Sequence, residues 1–123
     1  KVMALTVIAG TGGPQKATLT LDVDGQHVTR ETTGNGPVDA IFNAIHAIVP
    51  HHAKLALYQV HAVTEGTDAQ AEVSVRLEED GKFVTARAAD PDTLVASAKA
   101  YVSAINKLVT RRAKTKPAAL QAG

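Results

Sequence analysis

The chain has 123 residues, enough for one domain that buries roughly two-thirds of its unfolded surface, and no second domain is needed. Apolar residues make up 45% of it, yet Phe42, Tyr58, Phe83 and Tyr101 are its only aromatic ones, so the core must be mostly Ala, Val, Leu and Ile. Thirteen Lys and Arg against twelve Asp and Glu leave a formal charge of +1, which excludes a broad field for nucleic acid or an anionic membrane.

Lys1 to Gly10 is an apolar, β-branched run that reads as a first strand, broken by the turn residues Thr11, Gly12, Gly13 and Pro14. From Ala17 to Val23, Ala17, Leu19, Leu21 and Val23 alternate with Thr18, Thr20 and Asp22, the pattern of a half-buried strand. Asp24-Gly25 suits a tight hairpin, so Gln26 to Thr33 returns as a third strand. Gly34, Asn35 and Gly36 end it. Pro37 can open a helix because its fixed φ suits the first helical position. That helix runs to about Val49, with Ile41, Ala44, Ile45 and Ile48 on one face. Pro50, His51 and His52 form the break.

The order then repeats. Leu55 to Val63 is an apolar strand, Gly66-Thr67-Asp68 a turn, and Ala71, Val73, Val75 and Leu77 alternate with Glu72, Ser74 and Arg76. Asp80-Gly81 forms a second hairpin and Lys82 to Ala88 the returning strand. Asp90-Pro91 opens a second helix, with Asp90 placed as its cap and Leu94, Val95, Ala98, Tyr101, Val102, Ile105 and Leu108 as its apolar positions. Asp24-Gly25-Gln26-His27-Val28-Thr29 matches Asp80-Gly81-Lys82-Phe83-Val84-Thr85, and Pro37 is expected to correspond to Pro91.

The fold class predicted is therefore α+β: duplicated βββα units spanning 1–52 and 53–112, each a three-stranded antiparallel sheet covered by one helix, packed about a pseudo-twofold axis. Residues 113–123 are expected to be a disordered tail. Because the sequence starts at Lys1 rather than Met, it is expected to be a piece of a longer chain.

No catalytic constellation emerges. There is no cysteine, which removes thiolate chemistry and fits a reducing, cytoplasmic setting, and no apolar run has membrane-spanning length. His27, His46, His51, His52 and His61 lack the HExxH or HxxxH spacing that pairs ligands on one helical face, so each is given a structural or surface role and no metal site is predicted. Asp22, Asp24 and Gly25 lack the bidentate Glu of a calcium loop. Glu78, Glu79 and Asp80 sit at a hairpin tip where carboxylates stay solvated. Gly10 to Gly13 has neither the ending of a phosphate loop nor GxGxxG spacing. The basic residues Lys107, Arg111, Arg112, Lys114 and Lys116 complement the helix dipole without implying nucleic acid. Gly34-Asn35-Gly36-Pro37 is more informative: its bare backbone leads into a helix N-terminus that can receive a carboxylate, or the glycines simply permit a sharp turn.

Three segments carry a resemblance. Gly34-Asn35-Gly36-Pro37-Val38-Asp39-Ala40, then YQVHAVTEGTDAQA from Tyr58 to Ala71, then Ala96-Ser97-Ala98-Lys99-Ala100-Tyr101 with Ala104-Ile105-Asn106, closely resemble the C-terminal regulatory domain of the 2-isopropylmalate synthase family. The likeness covers Met3 to about Leu108. It implies a duplicated βββα dimerisation module that binds L-leucine for feedback inhibition of leucine biosynthesis. The catalytic barrel it inhibits, elsewhere in the parent chain, condenses acetyl-CoA with 2-oxoisovalerate using a divalent metal (zinc, magnesium or manganese). Nothing in this chain matches the barrel, so the fragment itself is expected to have no active site and no cofactor.

Carried over by position, the resemblance places Asn35, Gly36, Pro37, Val38 and Asp39 beside the effector's charged ends. Leu55, Tyr58, Ala62, Ala69 and Ala71 would line its side-chain pocket, with Ala89 approaching from the second unit. Ala86 and Ala88 stand where the family has glycines, so an equal site in the second half is not expected. The expected partners are leucine, a second copy of the chain and the parent barrel, not nucleic acid or membrane. Two alternatives stay open: the isoleucine-sensing regulatory domain of citramalate synthase, and a purely structural dimerisation module.

Overall fold

Two aspartate-glycine pairs turn the chain. Asp24 and Gly25 have φ of 52° and 84°, and Asp80 and Gly81 have 54° and 76°, the successive positive values of a hairpin whose twist matches that of its strands. Asp24 and Asp80 tolerate the left-handed region better than bulkier residues would, and the Gly25 N–H is held by the Asp22 carboxylate at 2.9 Å.

The computed structural model describes residues 2–8, 15–65 and 68–122. Its elements run β1 (Val2–Ile8), β2 (Gln15–Val23), β3 (Gln26–Gly34), α1 (Pro37–Ile48), β4 (Lys54–Glu65), β5 (Asp68–Glu79), β6 (Lys82–Asp90) and α2 (Thr93–Ala122). They form two antiparallel sheets, β1-β2-β3 and β4-β5-β6, each followed by a helix. This is the predicted α+β architecture. The turn expected at 11–14, the last residues expected of the first strand, and the turn at 66–67 lie outside the described residues.

The duplication extends to irregularities. β1 slips register between Val2 and Ala4 where it passes from Leu21 to Thr20, and β4 slips between Leu55 and Leu57 where it passes from Leu77 to Arg76. Leu21 and Leu77 occupy the same place in their units, so both edge strands carry one bulge at the same site.

Helix α1 packs on β2 and β3, and α2 on β5 and β6. The alternating strand residues Ala17, Leu19 and Leu21 are buried under Ile41 and Ile45, and Val73, Val75 and Leu77 under Ala98, Tyr101 and Ile105. Each large aliphatic side chain so covered contributes about 1.5–3 kcal/mol. The opposite face of the first sheet is polar, with Thr20 hydrogen-bonded to Thr29 at 2.7 Å.

The helix starts differ from expectation. Helix α2 is capped by Asp92, whose Oδ1 accepts the N–H groups of Leu94 and Val95 at 2.8 and 3.3 Å. Asp90 lies two residues earlier and accepts the N–H of Asp92 at 2.9 Å. The register that matches the hairpins aligns Pro37 with Thr93, so Pro91 is not the counterpart of Pro37; it precedes the cap, where its ring stiffens the turn. Helix α2 is drawn to Ala122, which takes in most of the segment 113–123 expected to be a tail. Asp92→Ala is expected to lower stability by about 0.5–2 kcal/mol, the usual worth of an N-cap, read as a lower urea midpoint with unchanged slope.

Candidate functional site

At the β3-α1 junction the chain folds tightly on itself. A Cβ on Gly34 would lie 2.5 Å from the Ala40 nitrogen and 2.7 Å from Asp39 Oδ2, so only glycine fits. The helix is braced against β3 on both sides: the Thr32 hydroxyl donates to the Ala40 carbonyl at 2.7 Å, and Asn43 Nδ2 donates to the Thr33 carbonyl at 2.9 Å. Gly36 is the N-cap and supplies no side-chain acceptor, and Pro37 follows at the first helical position. The N–H groups of Val38 and Asp39 belong to the first turn, which has no intrahelical partners for them. The Asp39 carboxylate folds back to accept the Asn35 N–H at 2.9 Å. This short loop thus presents first-turn N–H donors beside one carboxylate.

The other predicted residues come from the second sheet. Strand periodicity puts Ala69 and Ala71 on the face shared by Val73, Val75 and Leu77. Across the ladder Leu55 opposes Leu77, Tyr58 opposes Val75, Val60 opposes Val73 and Ala62 opposes Ala71. Leu55, Tyr58, Ala62, Ala69 and Ala71 therefore share one face. Helix α2 covers that face over β5 and β6 and leaves the β4 side open, where Leu55 and Val60 are 46% and 44% exposed. Ala89 is not brought there: it pairs with Glu72 and lies on the opposite face. Asp90 is the β6 residue opposite Ala71. The hydrogen bond from the Asp92 N–H, and then the Lys99 ammonium at 2.9 Å, hold its carboxyl below the usual value.

A cluster of rings joins the two units and so joins the loop to this face. Phe42, one turn beyond Val38 on α1, meets Tyr58 edge-on at 5.8 Å and stacks on Tyr101 of α2 at 4.2 Å. The Tyr101 hydroxyl meets His51 Nε2 at 3.1 Å, while His51 Nδ1 accepts the Ala53 N–H at 3.2 Å. That pattern leaves the proton on Nε2, which donates to the phenol. Burial pushes the Tyr101 hydroxyl up to about 12, so it stays neutral. Phe42 is not among the site residues expected from the sequence. The signal for Phe42 was its rarity, since a chain with two phenylalanines spends one in a helix where Ile41 and Ile45 already fill the sheet-facing stripe.

The two helix N-termini are unequal. That of α2 is closed by the Asp92 carboxylate, whereas that of α1 has a glycine cap and no side-chain acceptor. Among the described residues no three His, Cys, Asp or Glu side chains gather as a metal site, and no helix is long and apolar enough to cross a membrane.

Comparison with known proteins identifies this architecture. Residues 1–109 match the model of the LeuA allosteric (dimerisation) domain. The chain is 71% identical over 115 residues to a 2-isopropylmalate synthase of Rhodopseudomonas palustris strain TIE-1, covering 94% of this chain and 22% of that protein. It is 72% identical over 112 residues to the 2-isopropylmalate synthase of Bradyrhizobium diazoefficiens, covering 91% and 22%. With that of Methylobacterium nodulans it shares 72% identity over 109 residues, covering 89% and 21%. The chain therefore spans about a fifth of the length of these relatives. It belongs to the family of LeuA allosteric (dimerisation) domains.

Proposed function

We propose that this domain binds L-leucine and, through a homodimer, imposes feedback inhibition on a 2-isopropylmalate synthase barrel in its parent chain. The observation that carries the reading is the meeting, through Phe42 and Tyr58, of an uncapped helix N-terminus with an open apolar face of small residues. An α-amino acid needs both. Its carboxylate suits the first-turn N–H groups of Val38 and Asp39, where the helix dipole also favours an anion. Its ammonium suits the exposed carboxylate of Asp39. A branched aliphatic side chain suits Leu55, Tyr58, Ala62, Ala69 and Ala71, because small apolar walls leave it room while excluding water.

The uncovered β4 side supports the dimer. Leu55 and Val60 are too exposed for a face on which Val73, Val75 and Leu77 of the neighbouring strand are fully buried, and a second copy would cover them. The relatives carry the name 2-isopropylmalate synthase, and the proposal extends to a parent barrel that would join acetyl-CoA to 2-oxoisovalerate with a divalent metal, in the cytoplasm. The effector then acts by binding one arrangement of the dimer more tightly, and a coupling of about 1–3 kcal/mol is typical of such control.

Calorimetric titration of the chain with leucine, isoleucine and valine tests the assignment. Saturable heat with leucine is expected, with valine weaker by about 10–200-fold for its missing methylene. Tighter binding of isoleucine would move the domain to citramalate synthase. Heat from none of the three, with the dimer intact by sedimentation, would leave assembly as its role.

A further inference from the structure

The two units differ at one pair of equivalent positions. In the first, β1 places Leu5 opposite Leu19, and Ile41 of α1 is fully buried. In the second, the equivalent positions are Tyr58 opposite Val75 and Ser97 of α2, also fully buried. An apolar pair in one unit has become a hydrogen-bonded pair in the other. The Ser97 hydroxyl donates to the Thr93 carbonyl at 2.8 Å, so at 2.6 Å from the Tyr58 hydroxyl it must accept the phenol's proton.

The fold does not demand this exchange. Leu and Ile serve the same place in the first unit, and a serine bonded back to its own helix is neutral to unfavourable there. A fully buried hydroxyl is worth keeping only if its partner matters. That partner stands on the open face, among the residues assigned to the effector's side chain. With Phe42 meeting it in a T-shaped contact at 5.8 Å and its hydroxyl tied to Ser97, the half-buried Tyr58 ring is held at two points.

We infer that Ser97 is a positioning residue for effector selectivity: its hydroxyl anchors Tyr58 so that the ring forms a rigid pocket wall matched to a branched aliphatic side chain. This rests on the leucine-binding assignment and adds to it a residue that does not itself touch the effector. A rigid wall discriminates by shape, whereas a free ring adapts to shorter chains.

The test is a double-mutant cycle in ligand affinity, using the whole chain with Ser97→Ala, Tyr58→Phe and both together, titrated with leucine and with valine. Each single variant should weaken leucine binding by about fivefold to tenfold, the worth of one hydrogen bond, and weaken valine less, narrowing the preference. The double variant should bind no worse than either single one, because both remove the same bond. Thermal unfolding of the ligand-free variants checks that each is folded. Wild-type binding with Ser97→Ala unchanged in affinity and preference would overturn the inference alone, as would single effects that multiply in the double variant. No binding by the wild-type chain would overturn the effector assignment and the inference with it.

Discussion

Phe42→Ala is expected to lower the stability of the domain by about 3–5 kcal/mol, the cost of emptying a buried aromatic site. That is a large share of the roughly 5–15 kcal/mol that holds a domain of this size together. The ring is 9% exposed and lies between Tyr58 and Tyr101, at 5.8 and 4.2 Å, so its removal takes material from both units. Neither sheet can close the gap, because Ile41 and Ile45 are held on the first sheet and Tyr101 is tied to His51 at 3.1 Å. Phe42→Leu should cost less, since it keeps most of the apolar volume. Urea unfolding followed by circular dichroism would read both variants. The account expects the alanine variant to lose its midpoint steeply; an equal, small loss in both would show that the seam between the units carries little stability.

Gly34→Ala is the second large effect, and its cause is steric rather than lost burial. The new methyl would sit 2.5 Å from the Ala40 nitrogen and 2.7 Å from Asp39 Oδ2. The nitrogen is backbone and cannot step aside without moving the first turn of α1. Overpacking of this kind costs about 1–3 kcal/mol, and it falls on the loop whose Asn35 N–H and Asp39 carboxylate are already paired at 2.9 Å. Effector binding should therefore fall further than stability does. Gly36→Ala is the control: a Cβ there meets nothing within 4 Å, so it should fold normally. Parallel calorimetry and unfolding of the two variants separate a specific loop requirement from a general dislike of side chains in the turn.

Much of this architecture was legible because the chain states it twice. Asp24-Gly25 and Asp80-Gly81 fix the hairpins, and the alternation of Ala17, Leu19 and Leu21, then of Val73, Val75 and Leu77, fixes which faces are buried. Local patterns say less about where units meet. Phe42 and Ser97 gain their roles from partners in the other unit or on another strand, at separations no periodicity spans. Ala89 shows the opposite limit: carrying a residue across by position ignores strand parity, and its pairing with Glu72 turns it away from the face that holds Tyr58. The helix cap moved for a similar reason. Two aspartates, Asp90 and Asp92, flank Pro91, and only geometry reveals that the second faces the free N–H groups.

The central claim is that one amino-acid effector sits where the bare N-terminus of α1 meets the small-residue face of the second sheet. Titrating the isotope-labelled chain with leucine while following backbone amide shifts tests it most directly. The account predicts saturable shifts at Gly36, Val38 and Asp39 together with Ala62 and Ala71, while Leu94 and Val95, already bonded to Asp92, stay in place. Shifts centred on Leu94 and Val95, or no localised shifts at saturating leucine, would contradict it.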